Sequence, residues 1–245
     1  MSKIDLKSTF ALPIVFDKDE LITNTDVSYK EKTIITIDDI REQLLNQDLD
    51  CPAVFYTKYK FIDGKGVFAK RDIRVNMYVM DPNLTGIEYV KTKVLRCKHY
   101  AKVLEVLNGS ATVIVQKYDS PLNNRVMKFA LKKGDIGLIP AGYDYVVVNP
   151  RQTGTLVIAE YSKSDAISRA VLDDNSGLAY YVIRKNAKQE IVRNPNYKIV
   201  NPLEKVTMPK IVEQYGISAK LPFSKQLLKN YGKFTWLFEE DSVSY

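Results

Sequence analysis

The chain of 245 residues carries one histidine, His99, and two cysteines, Cys51 and Cys97. Neutral imidazole is the commonest protein metal ligand and the usual acid–base group near neutral pH. A mechanism that needs two histidines from one chain is therefore excluded. Cys97 and His99 stand two apart, which on a strand turns both side chains to one face. Together with Glu105 they would offer sulfur, nitrogen and oxygen, a donor set suited to iron or zinc. The plainer reading of that spacing is a strand bearing a buried thiol and a surface or hydrogen-bonded histidine, and it is the one preferred. The cysteines follow no disulfide or metal framework, and free thiols are the expectation for a reducing cytosol.

The 36 Lys and Arg against 29 Asp and Glu give a net charge of +7, which favours anionic partners in a general way. The basic residues are spread out, however, and the densest stretch, Lys91 to Lys98, is broken by Val94 and Leu95. That pattern argues against nucleic acid as a partner. The longest apolar stretches, Tyr145 to Val148 and Leu156 to Ala159, fall far short of the roughly 20 residues that cross a bilayer. With no apolar signal core at the N-terminus, the expectation is a cytoplasmic protein with no membrane contact. The sixteen tyrosines are explained by strand propensity alone.

These side chains need elements to position them. Residues 1–36 alternate short apolar runs with turn formers and read as strands or extended arms. Thr36 and Asp39 form a capping pair, with Ile37, Ile40, Leu44 and Leu45 on one face, which predicts a helix over 38–47. From Ala53 to about Val192 short β-rich runs alternate with turns, the pattern of a sandwich or closed barrel. Asn108-Gly109 between two apolar runs predicts a tight hairpin. After Pro195, two short helices are expected around Lys210–Tyr215 and Ser224–Asn230, ended by Gly216 and Gly232. The aromatic tail around Trp236 is expected to dock on the barrel or on a second subunit.

Residues 134 to 149 read Gly-Asp-Ile-Gly-Leu-Ile-Pro-Ala-Gly-Tyr-Asp-Tyr-Val-Val-Val-Asn. This resembles the second conserved motif of the cupins, with Gly134, Pro140, Gly142 and Asn149 at the matching places. Its metal-binding histidine is replaced by Tyr145. The first cupin motif would end at Gly109, which puts Lys102 where the family has a ligating glutamate and Leu95 and Cys97 where it has paired histidines. The flanks are similar to the cupin-type glucose-6-phosphate isomerases: Val15-Phe16-Asp17, Ala53-Val54-Phe55-Tyr56, Val79-Met80-Asp81-Pro82, Gly86-Ile87-Glu88-Tyr89, Ala159-Glu160-Tyr161 and Val192 to Lys198. That family interconverts glucose-6-phosphate and fructose-6-phosphate with a bound divalent metal, usually as a homodimer. Its phosphate-holding threonines align near Met77 and Tyr78, while Thr92 is kept. A His-Asp-Tyr patch aligns with Ser168, Arg169 and Ala170.

The resemblance implies an all-β cupin jelly-roll barrel over 53–198, N-terminal strands and a helix over 1–52, and a partly helical arm over 199–245. It implies a degenerate metal site, no cofactor, and a barrel mouth lined by Thr92, Lys102, Tyr145 and Tyr161 that takes a phosphorylated sugar or another anionic small molecule. The partner expected is a second copy of the chain. Whether the chain is an enzyme stays open at this point. One alternative is an active isomerase through a rearranged site, with Glu88, Glu105 and Asp144 as the acidic candidates for its base and Lys102 as a Schiff-base lysine. The other is an interaction module of a larger assembly.

Overall fold

The computed structural model describes residues 3–17, 20–120, 123–166, 168–170 and 176–245, and for Cys97, residues 118–120, 123 and 168–170 the backbone alone. Twelve strands build two facing six-stranded sheets: β1 Glu31–Thr36, β2 Val54–Lys60, β3 Ile73–Met80, β4 Leu95–Cys97, β5 Lys102–Asn108, β6 Ser110–Ser120, β7 Asn123–Lys132, β8 Ile136–Ile139, β9 Asp144–Val148, β10 Leu156–Lys163, β11 Ser168–Ala170 and β12 Glu204–Lys205. The first sheet runs β8-β5-β10-β3-β2-β1 and the second β11-β4-β9-β6-β7-β12. All the pairings are antiparallel except the one between β7 and β12. Consecutive strands repeatedly sit in opposite sheets. This is the jelly roll that the cupin resemblance implies.

Both faces of each sheet are covered, which is why the strands read as near-continuous apolar runs rather than alternating ones. Between the sheets lie Leu104, Val106, Ile158, Val113, Val115 and Val147. The outer face of the first sheet, with Val75, Val103 and Ala159, packs under both chain ends, represented by Phe10, Phe16, Phe223 and Leu237. The outer face of the second, with Ile114 and Val146, is covered by the hairpin of Tyr180–Lys185 and Lys188–Arg193. The aromatic tail thus docks on its own barrel. Helices α1 Met208–Gln214 and α2 Phe223–Lys229 stand where the prolines and periodicity predict. No described helix is long and apolar enough to cross a membrane.

Three local expectations are corrected. The Asn108-Gly109 turn is a corner, because β5 and β6 pair with different partners in different sheets. Gly109 has φ +81°, and a Cβ there would lie 2.9 Å from the Thr155 carbonyl oxygen, so the crossing needs glycine for both conformation and space. The helix over 38–47 is one 3-10 turn, Arg41–Gln43. Its capping contact forms, since Asp39 Oδ2 accepts from the amide and the hydroxyl of Thr36, both at 2.9 Å. Propagation fails because the Gln43 carbonyl accepts from Lys91 Nζ (2.6 Å) and the Leu45 amide donates to Glu88 (2.9 Å), which draws helix-ladder groups into other bonds. Gly232 lies inside another 3-10 stretch, Tyr231–Phe238, and does not end α2.

Candidate functional site

In β5, Lys102 is followed by inward Leu104 and Val106, while Val103 and Leu107 face the outer core. Alternation therefore carries the Lys102 ammonium into the barrel. In β9 the same rule turns Tyr145 and Val147 inward. The two side chains meet, with Lys102 Nζ 3.0 Å from Tyr145 Oη. Across from them, β10 supplies Glu160, two residues beyond inward Ile158. Its Oε1 lies 3.2 Å from Lys102 Nζ and accepts from Asn76 Nδ2 at 3.1 Å. Its Oε2 accepts from Tyr145 at 2.5 Å and from Tyr78 at 3.1 Å. Lys102 and Glu160 are both fully buried. The interior thus holds a buried ammonium–carboxylate pair in a closed set of hydrogen bonds, the only arrangement that keeps two such charges out of water at tolerable cost.

A second cation stands beside the pair. Lys58 on β2 places Nζ 4.8 Å from the centre of the Tyr78 ring. Burial pushes Lys58 down to about 8, opposed by Glu160 and reinforced by Lys102, Lys60 and Arg74. Burial alone would push Glu160 up, but Lys102 first and Lys58 next overcome it and hold the carboxyl well below the ordinary range. The Tyr78 phenol is driven far up by burial and by Glu160. Arg74 on β3 completes the group, its guanidinium carbon 5.6 Å from the centre of the Phe61 ring. One end of the barrel interior is therefore polar and carries an excess of positive charge, while the rest is packed with aliphatic and aromatic side chains.

The other expected site residues are placed elsewhere. Thr92 is buried, and its hydroxyl accepts from the Val147 amide at 3.0 Å, so it stitches the barrel wall. Tyr161 points out of the barrel, against Phe223, and donates to Glu105 at 2.5 Å. Glu105 shares that outer face and also accepts from the Phe223 amide at 2.7 Å, which pins α2 to the sheet. Burial pushes Glu105 up to about 7 against the bonds from Tyr161 and the Phe223 and Ser224 amides. Glu105 is thus separated from His99, which is half exposed and lies 3.7 Å from Glu240. The side chain of Cys97, with those of Ser168, Arg169 and Ala170, lies outside the described residues. Among the described residues no group of three His, Cys, Asp or Glu side chains is arranged to hold a metal.

The acids considered as bases are committed too. Glu88 meets Lys91 at 2.5 Å, and Asp144 takes both arms of Arg96 at 2.5 and 2.6 Å. Met77 faces the outer core rather than the interior. The residue the motif comparison passed over is Glu160. Its signal was present: a carboxylate at the inward parity of an otherwise apolar strand demands a buried cation opposite it. Asn149, the last motif residue, has a structural post: its Nδ2 donates to the carbonyl oxygens of Met80 (3.0 Å) and Gly154 (3.3 Å).

The family model described as glucose-6-phosphate isomerase (GPI) matches residues 31–200, more than half of the chain. No curated protein matches. Among solved structures, vicilin from Capsicum annuum aligns at 15% identity over 47% of this chain and 30% of its own, with a TM-score of 0.37. Bacillus subtilis oxalate decarboxylase aligns at 18% identity over 47% and 28%, with a TM-score of 0.37. Peruvianin-I, a cysteine peptidase from Thevetia peruviana latex, aligns at 13% identity over 64% and 69%, with a TM-score of 0.35. The chain spans less than a third of the vicilin and decarboxylase chains that it matches.

Proposed function

The chain belongs to the glucose-6-phosphate isomerase (GPI) family, and on that premise we propose that it is a metal-free member whose barrel binds an anionic small molecule instead of carrying out the metal-dependent isomerisation. The observation that carries this reading is the Lys102–Glu160 pair, 3.2 Å apart and wholly buried. By the motif alignment Lys102 and Tyr145 occupy two ligand positions, and their hydrogen bond joins those positions to each other. A side-chain ammonium there repels a divalent ion. With Glu160 held ionised below the ordinary range, its basicity is too low for an effective proton abstraction near neutral pH.

Lys58, Lys102 and Arg74 share this end of the interior with Glu160, and the surplus positive charge suits a phosphate or carboxylate ligand. The protein is read as cytoplasmic and as a homodimer. Elemental analysis of the purified full chain tests the first half of the reading, with less than a tenth of an equivalent of transition metal expected. A coupled assay with glucose 6-phosphate and fructose 6-phosphate, with and without chelator, is expected to show no turnover. A stoichiometric metal, or chelator-sensitive activity, overturns the proposal.

A further inference from the structure

Among the described residues, three buried side-chain polar atoms have no hydrogen-bond partner: Arg74 Nε, Ser162 Oγ and Thr85 Oγ1. Two of the three stand opposite each other, because Ser162 of β10 and Arg74 of β3 are register partners. The pair directly before them in the interior is Glu160 and Asn76, so Arg74 and Ser162 lie one inward step from the buried carboxylate toward the barrel's polar end. Ser162 is fully buried. Buried donors without partners are rare in folded proteins, and two facing each other mark a place where an acceptor belongs. Glu160 does not serve them, since its oxygens are taken by Lys102, Asn76, Tyr145 and Tyr78.

The surroundings fix the guanidinium without using its donors. The Phe61 ring has two cations near it, Arg74 at 5.6 Å and Lys30 Nζ at 5.0 Å from its centre. Stacking on a ring holds the face of the guanidinium and leaves its edge free. Phe61 is itself held in a left-handed conformation, φ +56°, unusual for a bulky residue, and its amide donates to Asn76 Oδ1 at 3.3 Å. Lys58 comes from the neighbouring strand with a cation close enough to feel Arg74.

We propose that Arg74, Ser162 and Lys58 form a subsite for the phosphate of a small phosphomonoester, beside the Lys102–Glu160 pair and separate from it. This rests on the proposed anion-binding function and names the residues and the ligand group. The guanidinium edge offers a directional donor to a phosphate oxygen, the hydroxyl offers a second, and the lysine offers a point charge. Thr92, kept at an aligned phosphate-holding position of the family, is bonded into the wall here, so the phosphate contact has moved to other strands.

The test is a thermal-shift and calorimetric titration of the full chain with inorganic phosphate, glucose 6-phosphate and unphosphorylated glucose. The parent is expected to be stabilised by the two phosphate compounds and not by glucose. Arg74→Met and Lys58→Met are each expected to weaken phosphate binding by about tenfold or more, and binding to the parent should decline as pH rises through about 8, where Lys58 loses its proton. Ser162→Ala removes a buried hydroxyl that has no partner. It is expected to leave ligand-free stability unchanged or raised while weakening phosphate binding, a split that a purely structural serine would not produce. If the parent binds phosphate and all three variants bind it within twofold, this subsite is wrong while the anion-binding reading stands. If the parent binds neither phosphate compound, this subsite is wrong, and the anion-binding reading falls too unless a carboxylate such as citrate, titrated alongside, stabilises the chain.

Discussion

Replacing Lys102 with Met strips the buried Glu160 of its nearest cation while keeping the side chain's length and most of its apolar contact. At the observed 3.2 Å, and with an effective dielectric of about 20, the Coulomb term is about 5 kcal/mol. Part of it survives, because Asn76, Tyr78, Tyr145 and the Lys58 charge still face the carboxylate. A net loss of about 3 kcal/mol follows, at the lower end of what breaking a buried pair costs. For a chain of this size that is a fall in Tm of roughly 6–12 °C. Far-UV circular dichroism is the suitable probe, since the sole tryptophan, Trp236, sits in the C-terminal arm and bonds to the Tyr215 carbonyl. The double variant Lys102→Met with Glu160→Gln removes both charges while keeping a side-chain oxygen to accept from the donors around it, and should recover part of the loss. In the parent, Glu160's depressed folded value means that its contribution is complete above about 4.5, the usual carboxyl value, and is lost only as pH falls below it. In Lys102→Met the carboxyl can accept a proton, so the stability gap should narrow toward pH 4. A loss below about 1 kcal/mol at pH 7, or a double variant no better than the single, refutes the reasoning.

Glu105 has the opposite sign. Its folded value near 7 lies above the ordinary 4.5, so its contribution is most favourable in acid and declines, by about 3 kcal/mol, as pH rises from about 4.5 to 7. Glu105→Gln keeps an acceptor for Phe223 and should flatten that slope in urea titrations at pH 5, 6 and 8; an unchanged slope assigns the dependence to another group. Gly109→Ala meets both the positive φ and the Thr155 carbonyl, and a loss of more than about 1 kcal/mol is expected from chemical denaturation. Rebuilding the aligned ligands as Leu95→His, Cys97→His, Lys102→Glu and Tyr145→His should give a chain that retains about one divalent ion through gel filtration. A quadruple variant that folds and holds no metal would show that the motif alignment is mistaken.

Much of the barrel was legible in the sequence because its cause is local. Pro140 and Gly142 mark the corner before β9, Asn149 follows its end, and the run Tyr145 to Val148 is apolar because both faces of β9 are covered, by first-sheet residues such as Leu104 and Ile158 on one side and the Tyr180–Lys185 hairpin on the other. The pairing of Lys102 with Tyr145 also followed from the motif spacing. What was not legible depends on contacts between distant segments. The turn at Arg41–Gln43 stops short because Lys91 and Glu88, more than forty residues on, take its backbone groups. Asn108-Gly109 has hairpin chemistry, and only the strand partners of β5 and β6 show that it turns a corner between sheets. Tyr161 sits beside Glu160 in the sequence, and one residue of parity sends it to the opposite face, where it serves Glu105 and the docked arm.

A cation carried on a side chain is delivered with the polypeptide. Every copy leaves synthesis with the Lys102 charge already tethered opposite Glu160, at a stoichiometry set by translation rather than by the supply of a scarce ion. No chelator strips it, no rival ion displaces it, and no change of oxidation state alters its valence. With Glu160 ionised from mildly acidic conditions upward, the carboxylate facing that side chain keeps its charge across the physiological range.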